Sequence, residues 1–533
     1  MKFSLTVVSA LFALKSTLAV NQLTIKGSKF FDSVTGQQFY FKGIDYQPEK
    51  GAPEGDLDPL ADSTGCTRDA AVFKDLGVNS IRVYQTDYSR NHDACMKTFN
   101  DAGIYVLIDI PTPKYSIDRS NPSWNTELLN MYKLKVDAFI NYQNLAGFII
   151  GNEVANDVPT TASAAFVKAA LRDIKTYIRS KKKNIPVGYV DNDDLDIRLS
   201  LIAYFNCGSD PMAQADFYGV NTYRWCGANA TFKSSGYDQM AEPFKNYSVP
   251  SIVTEYGCNV VQPRSLGEMG SIYGPDLQDI MSGGFLYQYS QEDNNYGIVD
   301  VSYGKSAVTK LDDYAVFKKN MAAANPKGTT MNSYNPSLKT SSCPSVSSTW
   351  MSSSTLPPPP SESVCSCMVK SLSCVVGSSY STDDTGMVNA LSNSASTICG
   401  LTSCADVTAD SKNGTYGPYS YCSSTQRLQW IINKNYLNQN KNSSACKITG
   451  APLNVVSPSQ SNINSCPNSS SSSVTDAPTA PSGTKPGGSS NSGGSSSSDG
   501  SSSQSGTTGS AQSLILNHTA AFILVLLCSF SLF

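Results

Sequence analysis

The stretch that decides the fold is GFIIGNEVAND, residues 147–157. Apolar and small residues run unbroken, then stop at Asn152 and Glu153. Such a run fits a strand buried on both faces, as in a parallel sheet covered by helices. A carboxylate delivered at the end of a buried strand is costly to the fold unless chemistry uses it. A second run of the same kind, VPSIVTEYG at 249–257, delivers Glu255.

Working outward, eight β-rich runs can be read: FYFKGIDYQ (39–47), VNSIRVYQ (78–85), IYVLIDI (104–110), LAGFIIGNE (145–153), IPVGYVDND (185–193), ADFYGVNTY (215–223), VPSIVTEY (249–256) and GGFLYQYS (283–290). Helical patterns separate them, such as 127–143 and 164–180; the latter aligns Phe166, Ala170, Ile174, Tyr177 and Ile178 near one face. Alternation on this scale suits a (β/α)8 barrel of the α/β class. A doubly wound sheet also alternates, but no GxGxxG follows the first strand. The polar strand ends favour the barrel: Gln47, Tyr84, Asp109, Asn152–Glu153, Asp193, Asn221–Tyr223, Glu255 and Tyr287 would converge on its C-terminal face.

The whole chain has 533 residues, 40% of them hydrophobic, and a formal charge of −3. That balance gives no electrostatic case for a nucleic-acid partner. Residues 1–19 read as a secretory signal peptide with small residues at Thr17 and Ala19. The barrel is expected over 20–343, a Ser/Pro linker over 344–363, stiff around its four prolines, and a Cys-rich module over 364–467. A disordered Ser/Gly-rich stalk is expected over 468–512, and 513–533 reads as the removed tail of a GPI-anchor signal. A tail-anchored helix is the alternative reading of that end.

Fifteen cysteines are present; discarding Cys528 with the tail leaves an even number, which suits disulfides in a secreted chain. Sequons at Asn229, Asn246, Asn413, Asn442 and Asn468 fit the same compartment. Cys226 and Cys258 follow neighbouring strands, and Cys66 and Cys95 open the first two helices, so each pair is expected to bridge. Cys207 would then take Cys343, although six cysteines allow fifteen connectivities.

Two histidines exist, and His518 lies in the tail. His92 opens a helical pattern away from any strand end and reads as a surface residue, so neither a Ser-His-Asp triad nor a His-based metal site is expected. No cofactor or metal is expected. Carboxylates, phenols and amides remain, and two carboxylates facing one cleft suit glycosidic bond chemistry. Asn152 beside Glu153 could hold a sugar hydroxyl. Glu255, followed by Tyr256 and facing Tyr287, suits a nucleophile stabilised by a phenol, whereas Glu153 would need a raised pKa to act as the acid.

The motifs GIDYQP (43–48), SIRVYQ (80–85), GNEV (151–154), NTYRWCG (221–227), TEYG (254–257) and EDNNYG (292–297) resemble glycoside hydrolase family 72, the fungal β-1,3-glucanosyltransferases. The resemblance implies Glu153 as acid/base (proton donor) and Glu255 as nucleophile in a retaining exchange of β-1,3 linkages. It also implies sugar contacts from Tyr84, Asn152, Tyr287, Asp193 and Arg198, and from Gln47, Asp109 and Tyr223. Arg198 has a second reading as a plain surface arginine. A monomer with β-1,3-glucan as donor and acceptor, GPI-anchored at the outer face of the plasma membrane or in the wall, is expected. A hydrolase using the same carboxylates, or a non-catalytic wall protein, are the alternatives.

Residues 364–467 resemble carbohydrate-binding module family 43, through CSC at 365–367, Cys374, NGTYGPYSYC at 413–422 and Cys446. That resemblance implies the pairs Cys365–Cys422, Cys367–Cys466, Cys374–Cys446 and Cys399–Cys404. Tyr416, Tyr419, Tyr421 and Trp430 are either glucose-stacking rings or core.

Overall fold

The computed structural model describes residues 20–53, 57–460, 466 and 473–480. The signal-peptide region, Asn468, most of the stalk and the apolar tail lie outside the described residues.

A short antiparallel sheet comes first, β1 (Leu23–Lys26), β2 (Lys29–Asp32) and β3 (Gln38–Phe39). Eight parallel strands then close a barrel: β4 (Phe41–Asp45), β5 (Ser80–Val83), β6 (Tyr105–Asp109), β7 (Leu145–Asn152), β8 (Val187–Asp191), β9 (Phe217–Asn221), β10 (Ser251–Tyr256) and β11 (Met281–Leu286). Strand β11 pairs with both β10 and β4, so the sheet has no free edge. Each barrel strand falls within one of the eight runs read from the sequence, apart from the first two residues of β11. The runs are apolar throughout because one face meets the interior and the other the helices.

The N-terminal hairpin closes one end. Phe30 of β2 meets Phe41 edge-on at 5.0 Å and Phe217 at 6.0 Å, at the starts of β4 and β9. Inside, bulky rings need small neighbours: a Cβ on Gly43 would come within 2.3 Å of Phe285, and one on Gly188 within 2.4 Å of Phe217. The plugged, apolar end leaves the C-terminal strand ends as the polar mouth.

Helices wrap the outside. Among them are α1 (Ser63–Leu76), α2 (Asp93–Asp101), α3 (Thr126–Phe139), α4 (Ala164–Ser180) and α5 (Arg198–Asn206). Asn125 starts α3 by accepting a hydrogen bond from Leu128 N at 3.0 Å, and α4 is buried along most of its length. Disulfides Cys66–Cys95, Cys207–Cys343 and Cys226–Cys258 tie α1 to α2, the end of α5 to the barrel's C-terminal segment, and the loops after β9 and β10 to each other.

The linker departs from expectation. It lies on the barrel rather than extending freely, because Trp350 is buried edge-on against Tyr204 at 5.1 Å. Ser352 Oγ donates to Thr161 O and accepts from Ala165 N, while Tyr204 Oη donates to Ser353 O. Within the stalk region, residues 473–480 also depart: Val474 is buried, and Thr479 exchanges two hydrogen bonds with Asn130 on α3.

Among the described residues the Cys-rich module has the α-helices Glu362–Lys370, Thr385–Leu401 and Ser424–Asn438, and it carries disulfides Cys365–Cys422, Cys367–Cys466, Cys374–Cys446 and Cys399–Cys404. It touches the barrel through Thr126 N to Tyr421 O at 2.9 Å and Tyr416 against Phe166 at 6.2 Å. Asn229, Asn246, Asn413 and Asn442 are all exposed.

Candidate active site

Glu255 lies on β10, buried at the mouth. Its Oε1 accepts from Arg82 Nη1 at 3.1 Å and Tyr84 Oη at 2.8 Å; its Oε2 accepts from Tyr223 Oη at 2.6 Å. Three donors on one carboxyl match an anion. Strand geometry explains the convergence, since Arg82 and Tyr84 are two residues apart, as are Asn221 and Tyr223, and period two puts each pair on one face. The same rule corrects the sequence reading: Tyr256, adjacent to Glu255, points the other way, toward Tyr273 and Glu268. Tyr287 does not bond Glu255 either; its hydroxyl accepts from Asn294 Nδ2 at 3.2 Å.

Glu153 follows β7 with φ +50°, a left-handed conformation uncommon for a non-glycine residue. Its N–H donates to Val190 O at 2.9 Å, and its carbonyl accepts from Arg119 Nη2 at 2.9 Å, which fixes the turn. That turn aims the carboxyl at Asn221, whose Nδ2 reaches Glu153 Oε1 at 2.7 Å and Asn152 Oδ1 at 3.1 Å. Burial, then the charge of Glu255, raises the Glu153 pKa to about 7; the Asn221 hydrogen bond, Arg82 and Arg119 oppose the rise. Glu153 thus meets one neutral amide donor where Glu255 meets three donors, one of them a guanidinium.

Arg82 joins the two sides. Completely buried, it forks onto Asp109 through Nε at 3.1 Å and Nη2 at 2.9 Å, and Nη2 also reaches Asn152 Oδ1 at 2.9 Å. Asp109 is thus a carboxylate that holds an arginine. The rings of Tyr84, Tyr223, Tyr287 and Tyr296 meet edge-on at 5.1–6.4 Å and form an aromatic wall.

The remaining expected residues sit further out. Gln47 is buried with its amide joined to backbone, Nε2 to Leu57 O at 2.8 Å and Oε1 from Gln85 N at 3.0 Å. Asp193, also left-handed with φ +56°, binds Arg198 at 3.0 Å, Arg224 at 2.5 Å and Thr222 at 3.0 Å. Arg198 is therefore ion-paired and only 12% exposed at its side chain rather than a free surface arginine. His92 is likewise not on the surface: it is 2% exposed, hydrogen-bonded to Asp58 at 2.7 Å, and tilted against the Phe139 ring at 4.3 Å. In the module, Tyr421 is core and Tyr416 is part of the contact with the barrel, while Tyr419 packs on Trp430 at 4.9 Å. Sequence reasoning missed Arg82 and the Asn221 bridge. The two-residue spacing to Tyr84 and Tyr223 was the signal available for both. Among the described residues, no group of three or more His, Cys, Asp or Glu could hold a metal ion.

A glucanosyltransferase family profile matches residues 12–325, and an X8 domain profile matches 372–452. A 1,3-beta-glucanosyltransferase of Arthroderma benhamiae is 42% identical over 438 residues, covering 80% of this chain and 78% of its own. The 1,3-beta-glucanosyltransferase GAS2 of Saccharomyces cerevisiae is 38% identical over 443 residues, covering 80% of this chain and 78% of its own. The structure of Saccharomyces cerevisiae Gas2p in complex with laminaripentaose superposes with a TM-score of 0.75 at 37% identity, covering 83% of this chain and 98% of that one. With a profile spanning more than half its length and relatives near 40% identity, this chain belongs to the glucanosyltransferase family, glycoside hydrolase family 72.

Proposed function

We propose that this protein is a retaining β-1,3-glucanosyltransferase that cuts a β-1,3-glucan internally and joins the new reducing end to the non-reducing end of another glucan. The observation that carries the chemistry is the unequal environment of Glu153 and Glu255 around one shared network. Glu153, protonated below about pH 7, donates to the departing glycosidic oxygen. Glu255 attacks the anomeric carbon and forms a glycosyl ester; its charge is neutralised as the C–O bond to the leaving sugar breaks. Glu153, now ionised, takes the proton of an incoming sugar hydroxyl, which displaces Glu255 and restores its charge.

Asn152 has its Oδ1 occupied by Arg82 and Asn221, so its NH2 is the group left for a sugar hydroxyl. Tyr84, Tyr223 and Tyr287 give rings for sugar faces; Asp193, Arg198, Gln47 and Asp109 act on the sugar through the loops and side chains they hold. Transfer rather than hydrolysis is supported by the relatives, whose names specify glucanosyltransferase. Among the described residues, seven disulfides and four exposed sequons support a secreted protein. The Ser/Gly stretch and apolar end of the sequence support a GPI lipid as its tie to the plasma membrane or wall, and the proposal takes it to act as a monomer.

Incubation with laminari-oligosaccharides of one length tests the proposal. Products longer than the substrate are expected; only shorter products would make the protein a hydrolase.

A further inference from the structure

Residues 260–263, in the loop after β10, are exposed, but the next residue, Arg264, is only 1% exposed. Its guanidinium meets three backbone carbonyls from three segments of chain. Nη1 donates to Tyr287 O at 2.7 Å and to Gly257 O at 3.3 Å, and Nη2 donates to Tyr296 O at 2.7 Å. Gly257 permits this approach: its φ is +114°, and a Cβ there would lie 3.1 Å from Nη1. Asp313, on the helix Asp312–Ala323, balances the charge. Its Oδ2 accepts from Arg264 Nε at 2.5 Å, and its Oδ1 accepts from the Arg264 backbone N at 2.9 Å.

Two of the three carbonyls belong to the aromatic wall. The rings of Tyr287 and Tyr296 meet at 5.1 Å, and both meet the ring of Tyr223, whose hydroxyl donates to Glu255. The third carbonyl, of Gly257, lies two residues past Glu255. One side chain therefore ties the backbone under two wall tyrosines to the end of the strand that carries Glu255. Stability alone does not call for a buried ion pair there, since apolar residues of similar volume often serve as well. What a guanidinium adds is a rigid set of N–H groups that can hold several acceptors at fixed angles.

We propose that Arg264 is a positioning residue for sugar binding, which sets the Tyr287–Tyr296 wall at a fixed place relative to Glu255. The hydrogen bonds to Glu255 come from Arg82, Tyr84 and Tyr223, so loosening Arg264 leaves the charge on Glu255 supported and moves the rings on which a glucan chain lies. Asp313 acts on the wall only by holding Arg264. This role rests on the proposed reading of the wall as a sugar-binding surface.

The test compares the secreted protein with Arg264→Lys, Asp313→Asn, the Arg264→Lys/Asp313→Asn pair and Tyr287→Ala, all checked for folding by thermal melt. A single ammonium cannot hold Asp313 and three carbonyls at once, so Arg264→Lys should raise KM for laminaripentaose roughly tenfold while kcat stays within about threefold. Placed in a Glu153→Gln background, Arg264→Lys should weaken laminaripentaose binding, read by calorimetry, by a similar factor. Asp313→Asn should raise KM in the same direction, and the pair should be no worse than Arg264→Lys alone. A lower melting temperature with unchanged KM and unchanged binding would make Arg264 merely structural and overturn the proposal, as would a loss confined to kcat or multiplicative losses in the pair. If Arg264→Lys does not fold, the KM of Asp313→Asn decides. Normal binding by Tyr287→Ala would show that the wall holds no sugar, and the reading beneath the proposal would fail with it. Weak binding by Tyr287→Ala beside normal binding by Arg264→Lys would overturn the Arg264 role alone. KM and binding are read whether products are longer or shorter than the substrate, so failure of the transferase reading is seen separately.

Discussion

The guanidinium of Arg82, on β5, reaches Oε1 of Glu255, on β10, at 3.1 Å across the barrel mouth. Because Arg82 also forks onto Asp109, the position of Glu255 is fixed by a buried ion network rather than by a loop. Replacing Arg82 by Met removes the cation from two buried carboxylates and should cost about 3–5 kcal/mol of stability, read as a fall in denaturation midpoint. Arg82→Lys keeps the charge but loses the fork, so it should fold and still lose most activity.

Tyr84→Phe and Tyr223→Phe each remove one donor from Glu255. Each should lower kcat by roughly 10–10²-fold with smaller changes in KM. Tyr256→Phe, next to Glu255 in sequence but on the other face, should leave kcat unchanged. Steady-state kinetics on laminari-oligosaccharides would separate these outcomes.

The raised pKa of Glu153 has a signed consequence for rate and stability. As the acid, Glu153 must be protonated, so kcat/KM should fall as pH rises through about 7. A folded pKa above the ordinary value of 4.5 means that stability from this group is full below 4.5 and is lost as pH rises to about 7. Glu153→Gln should therefore be inactive yet more stable than wild type above pH 7. Part of the side chain still meets solvent, so the gain should be about 1–2 kcal/mol, measurable by thermal melts across pH.

Cys226–Cys258 closes a loop of sequence separation 32 beside Tyr223 and Glu255. Replacing both cysteines by Ala should cost about 3–4 kcal/mol on the chain-entropy account. Activity at a temperature where the variant is fully folded should fall too, unlike in the Cys66–Cys95 double variant, whose bridge ties two outer helices. Melting curves and rates of both variants check this.

Trp350 is buried against Tyr204 of α5 although, apart from Met351, residues 347–355 around it are Ser and Thr. Trp350→Ala should cost about 3–5 kcal/mol, and a barrel ending at residue 343 should be less stable than one ending at 353. Denaturation of the two truncated proteins would show it.

The barrel was legible because parallel strands buried on both faces are apolar end to end, and because each run broke at a polar residue. Glu153 and Glu255 stood out for that same reason. Arg82 did not, since a cation inside SIRV gives no sign of its partners until the barrel closes and brings Asp109 and Glu255 around it. The phenols at Glu255 were misassigned by proximity in sequence; strand alternation excludes Tyr256 and selects Tyr84 and Tyr223 once the neighbouring strands are known. Trp350 and Val474 dock on helices whose outer faces only the folded barrel creates, so composition alone marked their segments as spacer.

Covalent trapping tests the assignment of the two carboxyls most directly. A laminari-oligosaccharide donor with a 2-fluoro substituent and an activated leaving group should form an ester that turns over slowly, and peptide mass spectrometry should find the sugar on Glu255. Sugar on any other residue, or none while longer products still form from the natural donor, would contradict the account.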